Sequence, residues 1–200
     1  MFSAARIGLL ILVLLLSGTA LSAAELEALK AKCDGCHGPN GVSANPAVPI
    51  IAGQTPKFIA KTLRGFQMWD RPCVKCDDGA GGESDMCEVS GELGGTDIDA
   101  IAAWYGEQAF VPAKQDFDPA LAAAGEAIHA EQCDSCHAEG GSLAGNGPRL
   151  AGQWMAYLEA TLAYVPTGER MCPGMMERKV AALGKDEITQ LLNYYASQQD

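Results

Sequence analysis

Apolar residues recur at helical spacing in six separate stretches of the chain, and no window alternates as a strand. Two short helices are expected over 25–32 and 119–132, each followed by a loop rich in Gly and Pro. Middle helices follow over 58–69 and 155–165. Two final helices carry their apolar faces on Ile98, Ile101, Ala102 and Tyr105, and on Ile188, Leu191, Leu192 and Tyr195. Thr96 with Asp97 and Asp99, and Lys185-Asp186-Glu187, put acidic groups in the first turns of these last helices, where the helix dipole favours them. The pattern predicts an all-α fold.

One apolar run is of a different kind. Arg6, the unbroken stretch 7–16 and the small residues Ser22 and Ala24 have the order of an export signal, with cleavage after Ala24. The run is about half of the roughly 20 residues that a membrane helix needs, so residues 1–24 read as a signal peptide and the mature chain as periplasmic, without a stable membrane span. A retained anchor is the other reading.

The six helical stretches fall into two copies of one unit. Cys33-Asp34-Gly35-Cys36-His37 recurs as Cys133-Asp134-Ser135-Cys136-His137, and Pro49-Ile50-Ile51-Ala52-Gly53-Gln54 as Pro148-Arg149-Leu150-Ala151-Gly152-Gln153. Met86 precedes Leu93 by seven residues and Tyr105 by nineteen, and Met176 stands at the same offsets from Leu183 and Tyr195. This predicts one domain over 25–109, a linker over 110–118 in which Pro112 and Pro119 interrupt helix, and a second domain over 119–200, the two related by a pseudo-twofold axis. Each domain is small for a self-sufficient core.

Composition narrows the function. With 14 Lys and Arg against 25 Asp and Glu, the formal charge is −11, and loss of Arg6 with the signal gives 13 − 25 = −12. A surface that neutralises nucleic-acid phosphates is excluded, and a basic partner is favoured. Eight cysteines against three histidines require a chemical role.

Two thiols three residues apart can each add across a vinyl group of haem, and the adjoining His then serves as proximal iron ligand. Zinc would need four ligands closed around it, and a redox dithiol would need a βαβ setting that is absent. Two covalently attached haem c groups are therefore expected, one on Cys33, Cys36 and His37, the other on Cys133, Cys136 and His137. They would also fill the two undersized interiors. A thioether is the common sixth ligand of electron-transfer haems, and the repeat selects Met86 and Met176, with Met175, Met68 and Met171 as competitors. Pro49 and Pro148 are placed to offer carbonyls to the second nitrogens of the two ligating imidazoles. His129, outside both motifs, reads as structural or exposed.

On these motifs the chain resembles the dihaem class I cytochromes c of the cytochrome c4 type. Within that group, Phe110-Val-Pro-Ala-Lys-Gln-Asp-Phe-Asp118, Ala138-Glu-Gly-Gly141, Leu150-Ala-Gly-Gln-Trp154 and Tyr195-Ala-Ser-Gln-Gln199 resemble the cytochrome subunit of flavocytochrome c sulfide dehydrogenases. The resemblance implies no substrate chemistry in this chain. It implies an FAD-containing sulfide dehydrogenase subunit as electron donor and a small soluble acceptor, which the acidic charge balance makes a basic one. A free-standing carrier serving a terminal oxidase is the alternative, and catalysis at a haem that has lost its Met is a third.

The chain departs from that pattern between Arg71 and Met86, where 14 residues stand against 5 between Arg170 and Met176. The insertion carries Cys73, Cys76 and, just beyond it, Cys87; Cys172 is the repeat equivalent of Cys73. Four exported thiols can pair in three ways. Cys76 with Cys87 would close the insertion beside Met86, and Cys73 with Cys172 would tie the two domains together. Cys73 with Cys76, Cys73 with Cys87, and a zinc or copper site on all four remain open.

Overall fold

Ser22 starts the first helix. Its hydroxyl accepts from the Glu25 N–H while the Glu25 carboxylate accepts from the Ser22 N–H at 2.8 Å, a reciprocal cap. From there α1 (Ala23–His37) runs straight through Cys33, Cys36 and His37. The computed structural model describes residues 21–77, 81–143 and 147–200, so the run read as an export signal lies almost wholly outside the described residues. Among the described residues no helix is long and apolar enough to cross a membrane.

The middle helix α2 (Pro56–Gln67) is capped by Thr55 and has Pro at its first position, where a missing N–H costs nothing. A two-stranded hairpin follows inside the insertion, β1 (Cys76–Asp77) against β2 (Glu83–Ser84), with Cys76 opposite Ser84. Next come α3 (Met86–Gly91), whose Asp85 carboxylate accepts from the Cys87 and Glu88 N–H groups at 2.9 Å, and α4 (Gly95–Gly106). The second copy repeats the order as α5 (Pro119–Gln132), α6 (Met155–Ala163), α7 (Gly174–Ala181) and α8 (Lys185–Ser197). Acidic residues cap both final helices as expected: the Gly94 N–H donates to Asp97 and the Gly184 N–H to Glu187, each at 2.8 Å.

Among the described residues the regular structure is all helical apart from the two-residue strands. The helices α3 and α7 and the hairpin were not anticipated, because each is too short to show a period. The two motifs also differ locally: α5 ends at Gln132, and Cys133 to His137 continue as turns closed by the Cys136 and His137 N–H groups on the Cys133 carbonyl.

Each copy has its own apolar cluster. Ile59, Leu63, Leu93, Ile98, Ile101 and Tyr105 form the first, with Cys33 and Met86 packed against it. Leu158, Leu191, Leu192, Tyr194 and Tyr195 form the second, with Cys133 and Leu183 at its edge. The helices α5 and α8 touch backbone to backbone: a Cβ on Gly125 would lie 2.1 Å from the Gln190 carbonyl oxygen. Any side chain there would push the helices apart.

A third, small cluster of Ile50, Ala52 and Ala113, flanked by Phe110 and Trp154, lies between the two copies. The segment 110–118 is part of this junction. The Ala113 N–H donates to the Gly152 carbonyl at 2.8 Å, Gln115 exchanges hydrogen bonds with Gln153 and Met155, and the Arg149 guanidinium stacks on Phe110 at 4.1 Å. This segment is extended chain held against the second unit.

Candidate haem centres

His37 and His137 are both 7% exposed. Their Nδ1 atoms lie 2.9 Å from the Pro49 carbonyl and 3.0 Å from the Pro148 carbonyl. A carbonyl only accepts, so each Nδ1 carries the proton and each Nε2 keeps its lone pair for a metal. Burial holds both imidazoles below the usual histidine pKa, outweighing the opposing pull of the carbonyls, and so favours the neutral, ligating form. The backbone leaves no slack here: a Cβ on Gly147, the residue before Pro148, would fall 2.6 Å from the His137 ring.

Cys33 and Cys133 sit at the edges of the two clusters, and burial pushes the Cys33 thiol up to about 11 and raises that of Cys133. Behind each motif stands a buried tyrosine from the final helix, which reaches the motif's aspartate directly in the first copy and through a histidine in the second. Tyr105 donates to Asp34 at 2.7 Å. In the second copy His129, 2% exposed, stands between the equivalents: its Nδ1 is 2.9 Å from the Tyr195 hydroxyl and its Nε2 3.3 Å from Asp134. His129 is thus structural, one of the two roles the sequence left to it.

Met86 and Met176 are both half-buried, Met86 against the first cluster. The competitors Met68, Met171 and Met175 are 63%, 68% and 57% exposed. Arg170 has a buried Nε without a hydrogen-bond partner. Its burial, with Arg71 adding like charge, lowers its pKa to about 10. An apolar ring that bears two vinyl groups and two carboxylates suits this donor set: paired thiols, a neutral imidazole, a thioether and a half-buried guanidinium whose buried Nε has no partner. The residues present fit haem c.

Of the four further cysteines, Cys73 is bonded to Cys87, with Cα atoms 5.6 Å apart. This corrects the favoured pairs Cys76 with Cys87 and Cys73 with Cys172. The hairpin decides it: pairing Cys76 with Ser84 turns the Cys76 thiol toward Cys36, 3.8 Å away, while the first turn of α3 returns Cys87 to Cys73. Cys76 and Cys172 are not disulfide-bonded. A four-thiol metal site is excluded with both Cys73 and Cys87 in a disulfide, although Cys73, Asp85 and Cys87 do cluster within 4.8 Å. The bond closes a loop that ends next to Met86. Changing both cysteines to serine is expected to lower stability by roughly 3 kcal/mol in the chain-entropy account, measured as a lower denaturant midpoint of the haem-loaded protein against wild type.

The junction between the centres was not foreseen. The side-chain amide of Gln153, 2% exposed, accepts from the Ile50 N–H at 3.0 Å and donates to the Ile50 carbonyl at 2.9 Å. Gln54, 4% exposed, accepts from the Arg149 N–H at 2.9 Å and donates to the Arg149 carbonyl at 3.1 Å. The repeated Ala-Gly-Gln segment was visible, but nothing local showed that each glutamine reaches into the other copy.

Residues 120–194 match the family described as cytochrome C oxidase, cbb3-type, subunit III. Cytochrome c4 of Stutzerimonas stutzeri is 32% identical over 92% of this chain and 94% of its own length, and that of Azotobacter vinelandii is 30% identical over the same shares. The chain belongs to the cytochrome c4 family. As a member, it is a dihaem cytochrome with two covalently bound haem c groups, an electron carrier of the class I fold.

Solved structures agree. Reduced recombinant cytochrome c4 from Pseudomonas stutzeri superposes with a TM-score of 0.68 at 28% identity, covering 86% of this chain and 98% of that one. Acidithiobacillus ferrooxidans cytochrome c4 gives 0.67 at 27%, covering 84% and 99%. Thiosulfate dehydrogenase (TsdBA) from Marichromatium purpuratum gives 0.68 at 28%, covering 86% of this chain but 39% of the other.

Proposed function

We propose that this c4-type chain works in the periplasm as the cytochrome subunit of a sulfide-oxidising flavoprotein complex, taking electrons from an FAD-containing subunit and passing them to a small basic carrier. The observation that carries the relay is the junction: each histidine-holding segment, 49–50 and 148–149, is gripped by a buried glutamine amide of the other unit. Two centres held at a fixed separation suit a donor that releases electrons in pairs.

Each haem supplies reversible one-electron redox chemistry. The protein's part is to hold and orient. Cys33 and Cys36 with His37 and Met86 serve the first centre, and Cys133 and Cys136 with His137 and Met176 the second. Burial of both imidazoles keeps water away from the ligating histidines. The formal charge, −11 for the whole chain and −12 without residues 1–24, draws in a basic acceptor. The linker and C-terminal strings support the flavoprotein partner, and so does the similarity in fold to part of a protein named thiosulfate dehydrogenase.

The second reading is a free-standing carrier that donates to a terminal oxidase. It is favoured by relatives named cytochrome c4 that match over 92% of this chain. Mild purification separates the two: a larger, flavin-containing protein that stays bound supports the first, and a haem-only species overturns it. In either case electron exchange with a basic small cytochrome is expected to slow severalfold as ionic strength rises from 0.01 to about 0.15 M, where the screening length falls to about 8 Å. A salt-independent rate would remove the electrostatic part of the proposal.

A further inference from the structure

In each unit one cross-junction hydrogen bond ends on the very peptide group whose carbonyl holds the proximal histidine. The Pro49 carbonyl that accepts from His37 and the Ile50 N–H that donates to Gln153 belong to the same peptide unit. So do the Pro148 carbonyl that accepts from His137 and the Arg149 N–H that donates to Gln54. Two chains of hydrogen bonds therefore run from a glutamine of one unit, through one peptide, to the proximal histidine of the other. The amide orientations are fixed, because an N–H only donates and a carbonyl only accepts.

We propose that Gln54 and Gln153 are crossed positioning residues: Gln153, in the second unit, tunes the potential of the haem on His37, and Gln54, in the first, tunes that of the haem on His137. Hydrogen bonds in series polarise one another, by roughly 10–30% per bond in condensed phase. An acceptor on a peptide N–H makes that peptide's carbonyl a stronger acceptor. The stronger carbonyl pulls harder on the histidine Nδ1 proton and gives the ligand more anionic character, which stabilises ferric iron and lowers the potential. Burial of both glutamines at 4% or less keeps water from replacing the bonds. The arrangement also ties the orientation of each proximal ligand to correct docking of the two units, so the potentials are set only when the junction is closed.

The inference rests on His37 and His137 as iron ligands, and its test keeps the two claims apart. The probe is the haem-loaded protein, titrated redox step by redox step with NMR following the resonances of each proximal histidine, so that each potential is read at its own ligand. Gln153→Met, similar in volume but without the amide, is expected to raise the potential at His37, move the His37 Nδ1 proton upfield in the ferrous state, and leave His137 unchanged. Gln54→Met is expected to do the reverse. Trp154→Phe removes another cross-junction bond, from the indole N–H to the Ser43 carbonyl at 2.9 Å, which ends on neither peptide, and keeps both an aromatic ring against Ile50 and the backbone N–H that donates to Gln153; it is expected to shift neither potential. If a glutamine variant moves the centre in its own unit, moves both equally, or moves neither, the proposal fails. It also fails if Trp154→Phe reproduces the crossed shift. Absence of iron-ligand shifts at either histidine of the wild-type protein would instead overturn the ligand assignment, and the proposal with it.

Discussion

Replacing Cys133 and Cys136 by serine is expected to reduce covalently bound haem from two per chain to one and to unfold the second helical unit, while the first stays folded. The reason is size. The second unit's apolar cluster rests on Leu158, Leu191, Leu192, Tyr194 and Tyr195, and its residues 119–200 are too few to bury a comfortable core alone. The haem supplies the rest of the interior and, once attached, cannot leave. Because α5 to α8 hold about half of the helix, the far-ultraviolet signal is expected to fall by about half as haem absorbance per protein halves. Full helix content in the one-haem variant would show that the polypeptide core suffices.

The largest effect on electron transfer is expected from Met86→His and Met176→His. Each exchange replaces a thioether, which favours ferrous iron, by an imidazole, which does not. One of the two potentials should drop in each variant, and the ferric methionine-to-iron charge-transfer band should lose about half its intensity. Axial ligands set haem potentials over a span of about 0.8 V. At about 59 mV per tenfold change for one electron, a drop of about 120 mV would disfavour reduction of that centre a hundredfold. Met175→Leu is the control: Met175 is 57% exposed, whereas Met176 is half-buried, so the control should keep both bands. Loss of the band in Met175→Leu and its survival in Met176→His would exchange the two assignments.

The parts of the site legible in the sequence are those where chemistry is set within one helical turn. The spacing of Cys33, Cys36 and His37 names haem attachment without any tertiary information, and the repeat carries that reading to Cys133, Cys136 and His137. The carbonyls of Pro49 and Pro148 were also within reach, since they follow each motif closely and do meet the imidazoles. The final helices were visible from acidic first turns and a sustained apolar period. By contrast α3 spans six residues, too few for a period to emerge. The hairpin between β1 and β2 pairs two residues with two, so no alternation could announce it.

The disulfide shows the limit most clearly. Sequence left several pairings open, and symmetry between the copies argued for Cys73 with Cys172. What decided was distance: α3 and the hairpin bring the Cys73 and Cys87 Cα atoms to 5.6 Å, inside the range a disulfide spans. Pairing rules count cysteines, whereas bonds require facing Cβ atoms.

By itself, then, the amino-acid sequence determined what this protein carries: two haems, each tied down by two thiols and an imidazole, in two helical units made from one repeated plan. Those features depend on residues a few positions apart, and helix geometry alone fixes their relation. Only the tertiary structure decided how the centres are joined. Gln54 meets Arg149 across 95 positions and Gln153 meets Ile50 across 103. Contacts at such separations exist only because the two copies dock with their Ala-Gly-Gln turns facing, an arrangement held by Phe110, Ala113 and Trp154 packing around Ile50.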